Sequence, residues 1–126
     1  MSSQQDQPGH RPTITAVAVL YKRSIPESEA VASLCRILEE RPEWKRSFAL
    51  ILYDNSPQPQ PVPTGLPVPL TYVHDAANGG LGAAYNFAFE AAARTGTPWL
   101  LLLDQDTHLT HEYLQELLDL LTTAAT

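Results

Sequence analysis

Asp104 and Asp106 stand two residues apart, directly after an uninterrupted apolar run, Trp99-Leu100-Leu101-Leu102-Leu103. Two close carboxylates repel each other, and a divalent cation relieves the repulsion. An all-oxygen donor pair suits Mg²⁺ or Mn²⁺ shared with substrate phosphates. The competing reading is a loop carrying two solvated aspartates. Three other groups could take part in chemistry. Asp54-Asn55-Ser56 closes a second apolar run, though the same residues are good turn formers ahead of Pro57. Asn78-Gly79-Gly80-Leu81-Gly82 opens an Ala-rich stretch where free N–H groups and the helix dipole can face an anion, although such small residues equally suit close helix-on-sheet packing. Tyr21 follows a third apolar run. His108 and His111 beside Asp106 admit a zinc reading, but a histidine pair at a helix start is more commonly solvated.

These residues need a frame. A short unbroken apolar run reads as a strand buried on both faces, as in a parallel sheet between helix layers, and Trp99 to Leu103 is expected to be one. In extended chain residues i and i+2 point the same way, so both carboxylates are expected to face one ligand. Ile14 to Leu20 is rich in β-branched residues and predicts a first strand. Ser24-Ile25-Pro26-Glu27 matches a capping box, and Val31, Leu34, Cys35 and Leu38 follow at helical spacing, so a helix is predicted from about Pro26 to Glu40. Cys35 lies on that apolar stripe and reads as a structural thiol. Phe48 to Tyr53 predicts the second strand and Leu70 to His74 a short third. Between them, Ser56 to Pro69 holds six prolines, which excludes a helix or a central strand and leaves an extended surface connector. A helix over about Leu81 to Arg94 and a last helix from His111 to about Leu121, capped by Thr110, complete the series. Strands alternating with helices imply an α/β fold with a mostly parallel, Rossmann-like sheet flanked by helices. Tyr21, Asp54, Asp104 and Asp106 would then share the carboxyl rim where open sheets bind ligands.

The 126 residues suit one domain, residues 13–126, behind a polar tail, Met1 to Pro12, that is expected to be disordered. With 8 Lys+Arg against 14 Asp+Glu and a formal net charge of −6, the chain is no candidate for coating nucleic acid. Cys35 is the sole cysteine, so no intrachain disulfide forms. No signal-peptide core or membrane-length apolar run is evident. A cytoplasmic location is expected, with peripheral membrane contact left open.

Four pieces in this order resemble the amino-terminal half of a family 2 glycosyltransferase of GT-A fold: Val17-Ala18-Val19-Leu20-Tyr21, Leu52-Tyr53-Asp54-Asn55-Ser56, Asn78 to Asn86, and Leu102-Leu103-Asp104-Gln105-Asp106. The last is a D-x-D motif whose Leu-Asp-Gln-Asp form looks like the rhamnosyltransferase branch. The resemblance implies binding of a nucleotide-diphosphate sugar, dTDP-rhamnose or a UDP-sugar, and inverting transfer to a glycan or lipid-linked acceptor in polysaccharide biosynthesis. It implies that Tyr21 lies along the base and Asp54 bonds the base edge. Asn78, Gly80 and Gly82 would wall the sugar nucleotide, Asp104 would face ribose or sugar, and Asp106 would ligate Mg²⁺ or Mn²⁺. It also implies an acceptor site and a catalytic base in a later half. Glu112, Glu116 and Asp119 are no obvious substitutes for that base, so the chain is expected to bind donor without completing transfer. Two rivals share features of the pattern. A haloacid-dehalogenase-type phosphatase also ends a strand in D-x-D, but that motif normally sits on the first strand. A non-catalytic nucleotide-binding module would share the fold without the chemistry.

Overall fold

The computed structural model describes residues 12–124; the predicted tail falls outside them, apart from Pro12. The elements are β1 (Ile14–Leu20), α1 (Glu29–Glu40), a 3-10 turn (Pro42–Ser47), β2 (Phe48–Asp54), β3 (Leu70–His74), α2 (Gly80–Thr95), β4 (Trp99–Asp104) and α3 (His111–Ala124). The four strands pair in the order β3-β2-β1-β4, all parallel. This is a Rossmann-like α/β architecture consistent with the GT-A class.

Alternation along β1 explains the layers. Ile14, Ala16, Ala18 and Leu20 join α1 (Leu34, Ile37, Leu38) and α3 (Leu114, Leu121) in the main core, with Phe48, Leu50 and Leu52 of β2 alongside. Val17 and Ile51 point to the other face, where Ala88 of α2 meets them. Ala84, Ala88 and Ala92 are buried, and small side chains there let α2 lie close to the sheet. The step from β1 to β2 and the step back from β3 to β4 run in opposite directions across the sheet. With right-handed crossovers the helices therefore fall on opposite faces, which makes the carboxyl ends of β1 and β4 the point where the topology of the sheet switches.

Two sequence-based expectations fail. The apolar run Trp99 to Leu103 is not buried on both faces. β4 is the sheet's edge among the described residues, with Leu103 buried but Trp99 38% and Leu102 47% exposed. The strands buried on both faces are the interior ones, β1 and β2. Apolar content alone does not distinguish interior from edge strands, because all three runs are continuous. Helix α1 also starts later than predicted. Ser24 to Glu27 forms a turn closed by the Glu27 N–H on the Ser24 carbonyl (3.1 Å), and the actual cap is Ser28, whose hydroxyl accepts from the Val31 N–H at 3.4 Å. Buried Ile25 gives its N–H to Gln60 of the proline-rich connector (2.7 Å), which holds this segment out of the helix. The remaining elements fall within a few residues of their predicted bounds, and the connector is irregular from Asn55 to Pro69. No helix among the described residues is long and apolar enough to cross a membrane.

Candidate functional site

The parallel register sets Leu20 beside Asp54 and Val19 beside Asp104. Three strands thus end level with one another, and Tyr21, Asp54 and Asp104 stand on a common rim. β4 ends at Asp104, and the chain turns at once, the Thr107 N–H closing on the Asp104 carbonyl at 3.1 Å. Asp106 is therefore a turn residue. The expectation that both carboxylates point the same way by strand alternation does not hold, because alternation stops where the extended backbone does. Asp104 is exposed, and its side chain has no hydrogen-bond partner among the described residues. Asp106 is 70% exposed and pairs with Arg23 through Oδ1 at 2.5 Å.

Asp54 differs from both. It is fully buried. Its Oδ1 accepts from the Ser56 N–H (3.0 Å), a tight turn of the kind aspartate favours. Its Oδ2 accepts from Gln60 Nε2 (3.0 Å) and the Tyr72 hydroxyl (2.8 Å). Burial pushes its carboxyl up, but the hydrogen bonds from Ser56, Gln60 and Tyr72 together outweigh this and hold it below its ordinary value. Gln60 also donates to the Arg23 carbonyl (3.1 Å). One chain of contacts thus runs Asp54–Gln60–Arg23–Asp106 and ties the ends of β2 and β4 together across β1.

The loop after β4 is clasped by α1. The Gln105 carbonyl accepts from the Ser28 hydroxyl (2.9 Å) and the Ala30 N–H (3.2 Å). Leu109 N–H reaches Ser33 Oγ (3.0 Å), and His108 pairs with Glu29. Gln105 Oε1 accepts from the Tyr21 N–H (3.0 Å). Tyr21 and Asp106 are in this way held in a fixed relation by the residue between the two aspartates. His108 and His111 pair with Glu29 and Glu40 respectively, and the described residues hold no group of three or more His, Cys, Asp and Glu placed to bind a metal.

The glycine-rich segment lies at the far side of the rim, beside β3. Asp75 organises it by accepting from the Tyr53 hydroxyl (2.8 Å), the Ala77 N–H (3.1 Å) and the Gly79 N–H (3.2 Å). The Tyr53 hydroxyl, followed by these backbone donors, holds the Asp75 carboxyl below its ordinary value. Asn78 and Gly80 both take positive φ (54° and 79°). Gly79 is required for space: a Cβ there would lie 2.7 Å from Ala83 Cβ. Gly82 opens onto free space. The segment therefore owes two of its glycines to the local turn, while Gly82 borders open space.

Sequence reasoning missed Arg23, Gln60, Tyr72, Asp75 and Gln105, all of which act through contacts distant in sequence. It also left Asn55 without a role. Asn55 is 3% exposed, and its Oδ1 is the one buried side-chain acceptor without a partner among the described residues. It sits at the carboxyl end of β2, where its backbone N–H bonds the Leu20 carbonyl (2.8 Å).

A family model described as Glycosyl transferase family 2 matches residues 28–125. The chain belongs to that family. The match takes in Asp54, Asn78, Gly80, Gly82, Asp104 and Asp106, whereas Tyr21 and Arg23 precede it. Membership in glycosyl transferase family 2 makes glycosyl transfer the general activity and decides against the phosphatase reading of the D-x-D motif. Neither a curated protein nor a solved structure matches the chain.

Proposed function

We propose that the carboxyl rim binds a nucleotide-diphosphate sugar through Mg²⁺ or Mn²⁺, as the donor half of an inverting, rhamnosyltransferase-like glycosyltransferase. The observation that carries this reading is the level ending of β1, β2 and β4, which gathers an exposed tyrosine, an unpartnered amide oxygen and two accessible carboxylates in a chain of this family. The donor set fits the cation. One or two carboxylates suffice for a hard divalent ion that takes its remaining oxygens from phosphate and water, and Asp104 and Asp106 are both exposed. Asp106 is assigned as its ligand.

In this reading the exposed ring of Tyr21 lies along the base, and the base edge is read at Asp54 and Asn55. Asp54 becomes directly available only when Gln60 withdraws; with Gln60 in place it supports the floor of the site. Asn78, Gly80 and Gly82 border the sugar nucleotide, and Asp104 meets the ribose or sugar hydroxyls. When bound, the cation offsets charge developing on the departing diphosphate. Acid–base work on the acceptor hydroxyl needs a carboxylate. Glu112, Glu116 and Asp119 are exposed on α3, so residues 13–126 are assigned donor binding rather than complete transfer. A glycan or lipid-linked hydroxyl is the proposed acceptor, at the cytoplasmic side of a membrane.

Calorimetric titration of the protein with UDP and with dTDP, each with Mn²⁺ and with EDTA, tests the reading. Metal-dependent binding of a pyrimidine diphosphate, with ADP bound more weakly, is expected. Absence of binding in the presence of Mn²⁺ overturns it. Turnover of dTDP-rhamnose or a UDP-sugar by this chain alone would overturn the assignment to donor binding only.

A further inference from the structure

Among the described residues, Arg23 is the one side chain bonded to the carboxylate assigned to the cation. Its Nη1 lies 2.5 Å from Asp106 Oδ1. The backbone beneath it is fixed: Lys22 is held in the left-handed region (φ 52°), its N–H bonded to Ser56 Oγ at 2.7 Å, and the Arg23 carbonyl is held by Gln60. Lys22 itself is directed elsewhere, with Nζ 5.3 Å from the centre of the Tyr21 ring. The Arg23–Asp106 pair is solvent-accessible on both sides, 31% for Arg23 and 70% for Asp106, and pairs so exposed are weak. A divalent cation approaching Asp106 can therefore displace the guanidinium. Once displaced, a planar fork of donors on this rim suits a phosphate oxygen pair.

We infer that Arg23 is a place-holder cation: its guanidinium pairs with Asp106 before the metal arrives and then, still charged, pairs with the diphosphate of the donor. This inference rests on the cation reading above and adds to it a residue whose two successive partners are Asp106 and phosphate. It has a signature that a purely structural role lacks, namely effects of opposite sign on two ligands. In Arg23→Gln, Mn²⁺ alone loses its competitor, whereas the diphosphate loses a binding group. The substitution keeps the backbone carbonyl that Gln60 uses, so the floor of the rim stays intact.

The test is Mn²⁺ binding followed by electron paramagnetic resonance of the free ion, together with UDP titration at saturating Mn²⁺, on the unaltered protein, Arg23→Gln and Asp106→Asn. The expected result for Arg23→Gln is Mn²⁺ affinity raised about two- to fivefold and UDP affinity lowered by a similar factor or more. Asp106→Asn should lose both. If Arg23→Gln leaves Mn²⁺ affinity unchanged or weakens it while the unaltered protein binds Mn²⁺ at Asp106, the place-holder role is overturned and the cation site stands. If the unaltered protein binds no Mn²⁺ with or without UDP, both readings are overturned together.

Discussion

Asp54 and Asp106 are the same residue type at the ends of the two strands that flank β1, yet their surroundings are opposite. Asp54 is buried with three donors around it, so its charge is part of the fold. Replacing it by Asn leaves at least one of those donors without an acceptor. Asp54→Asn is expected to lower stability by about 1–3 kcal/mol at pH 7, measured by urea unfolding. Its carboxyl is held below the ordinary 3.8. The stabilisation is therefore fully present above that pH and disappears as pH falls through the lower folded-state value. The gap between the unaltered protein and Asp54→Asn should narrow steadily below about pH 4; a constant gap down to acid unfolding would refute the assignment. Asp106 is exposed and held by one ion pair, so Asp106→Asn should change stability by less than about 1 kcal/mol. The same variant should weaken metal-dependent UDP binding at least tenfold, readable by calorimetry.

Among the elements, α1 clasps the turn that carries Asp106. Its cap, Ser28, serves two partners, Val31 N–H and the Gln105 carbonyl, and so couples the start of the helix to the turn that carries Asp106. Ser28→Ala should cost about 1–2 kcal/mol in chemical unfolding, as loss of a cap does. It should also weaken UDP binding even though Ser28 lies behind the turn. Loss of stability with unchanged UDP affinity would show that the turn holds its shape unaided. Helix α2 depends on a different device. The chain enters it through Gly79, where a Cβ would meet Ala83 at 2.7 Å. Gly79→Ala must push α2 off the Asp75 turn, and a loss of about 1–3 kcal/mol is expected, the range for overpacking at a close contact. A Gly82→Ala control meets open space and should leave stability nearly unchanged.

The described residues form a sheet whose crossovers reverse direction after β3, with Asp104 and Asp106 at the end of β4 and Tyr21 at the end of β1 beside it. A ligand spanning β1, β2 and β4 binds the folded state alone. UDP with Mn²⁺ at about 100 times its Kd should thus add roughly 2.7 kcal/mol and raise Tm by several degrees, and EDTA should abolish the rise; a shift with UDP that survives EDTA would count against the cation dependence proposed above. Much of this was legible beforehand. β-branched and apolar runs marked all four strands, prolines marked the connector, and the polar residues ending each run marked the rim, because strand formation and strand termination are local properties of the chain. Strand order was not local. The run Trp99 to Leu103 reads as a strand buried on both faces yet lies at the edge of the sheet among the described residues, since position in a sheet depends on crossover handedness and on which faces the helices cover. The contacts that build the candidate site were equally hidden: Gln60, bonded to Asp54, reaches Arg23 across 37 residues, and Arg23 reaches Asp106 across 83. No periodicity encodes such pairings. The sequence by itself determined which residues could do chemistry and which end of the sheet would hold them, because apolar runs must stop where the chain meets water. Only the tertiary structure decided which carboxylate is buried as part of the fold and which is left accessible, because that depends on side chains brought in from distant segments to satisfy or leave open each oxygen.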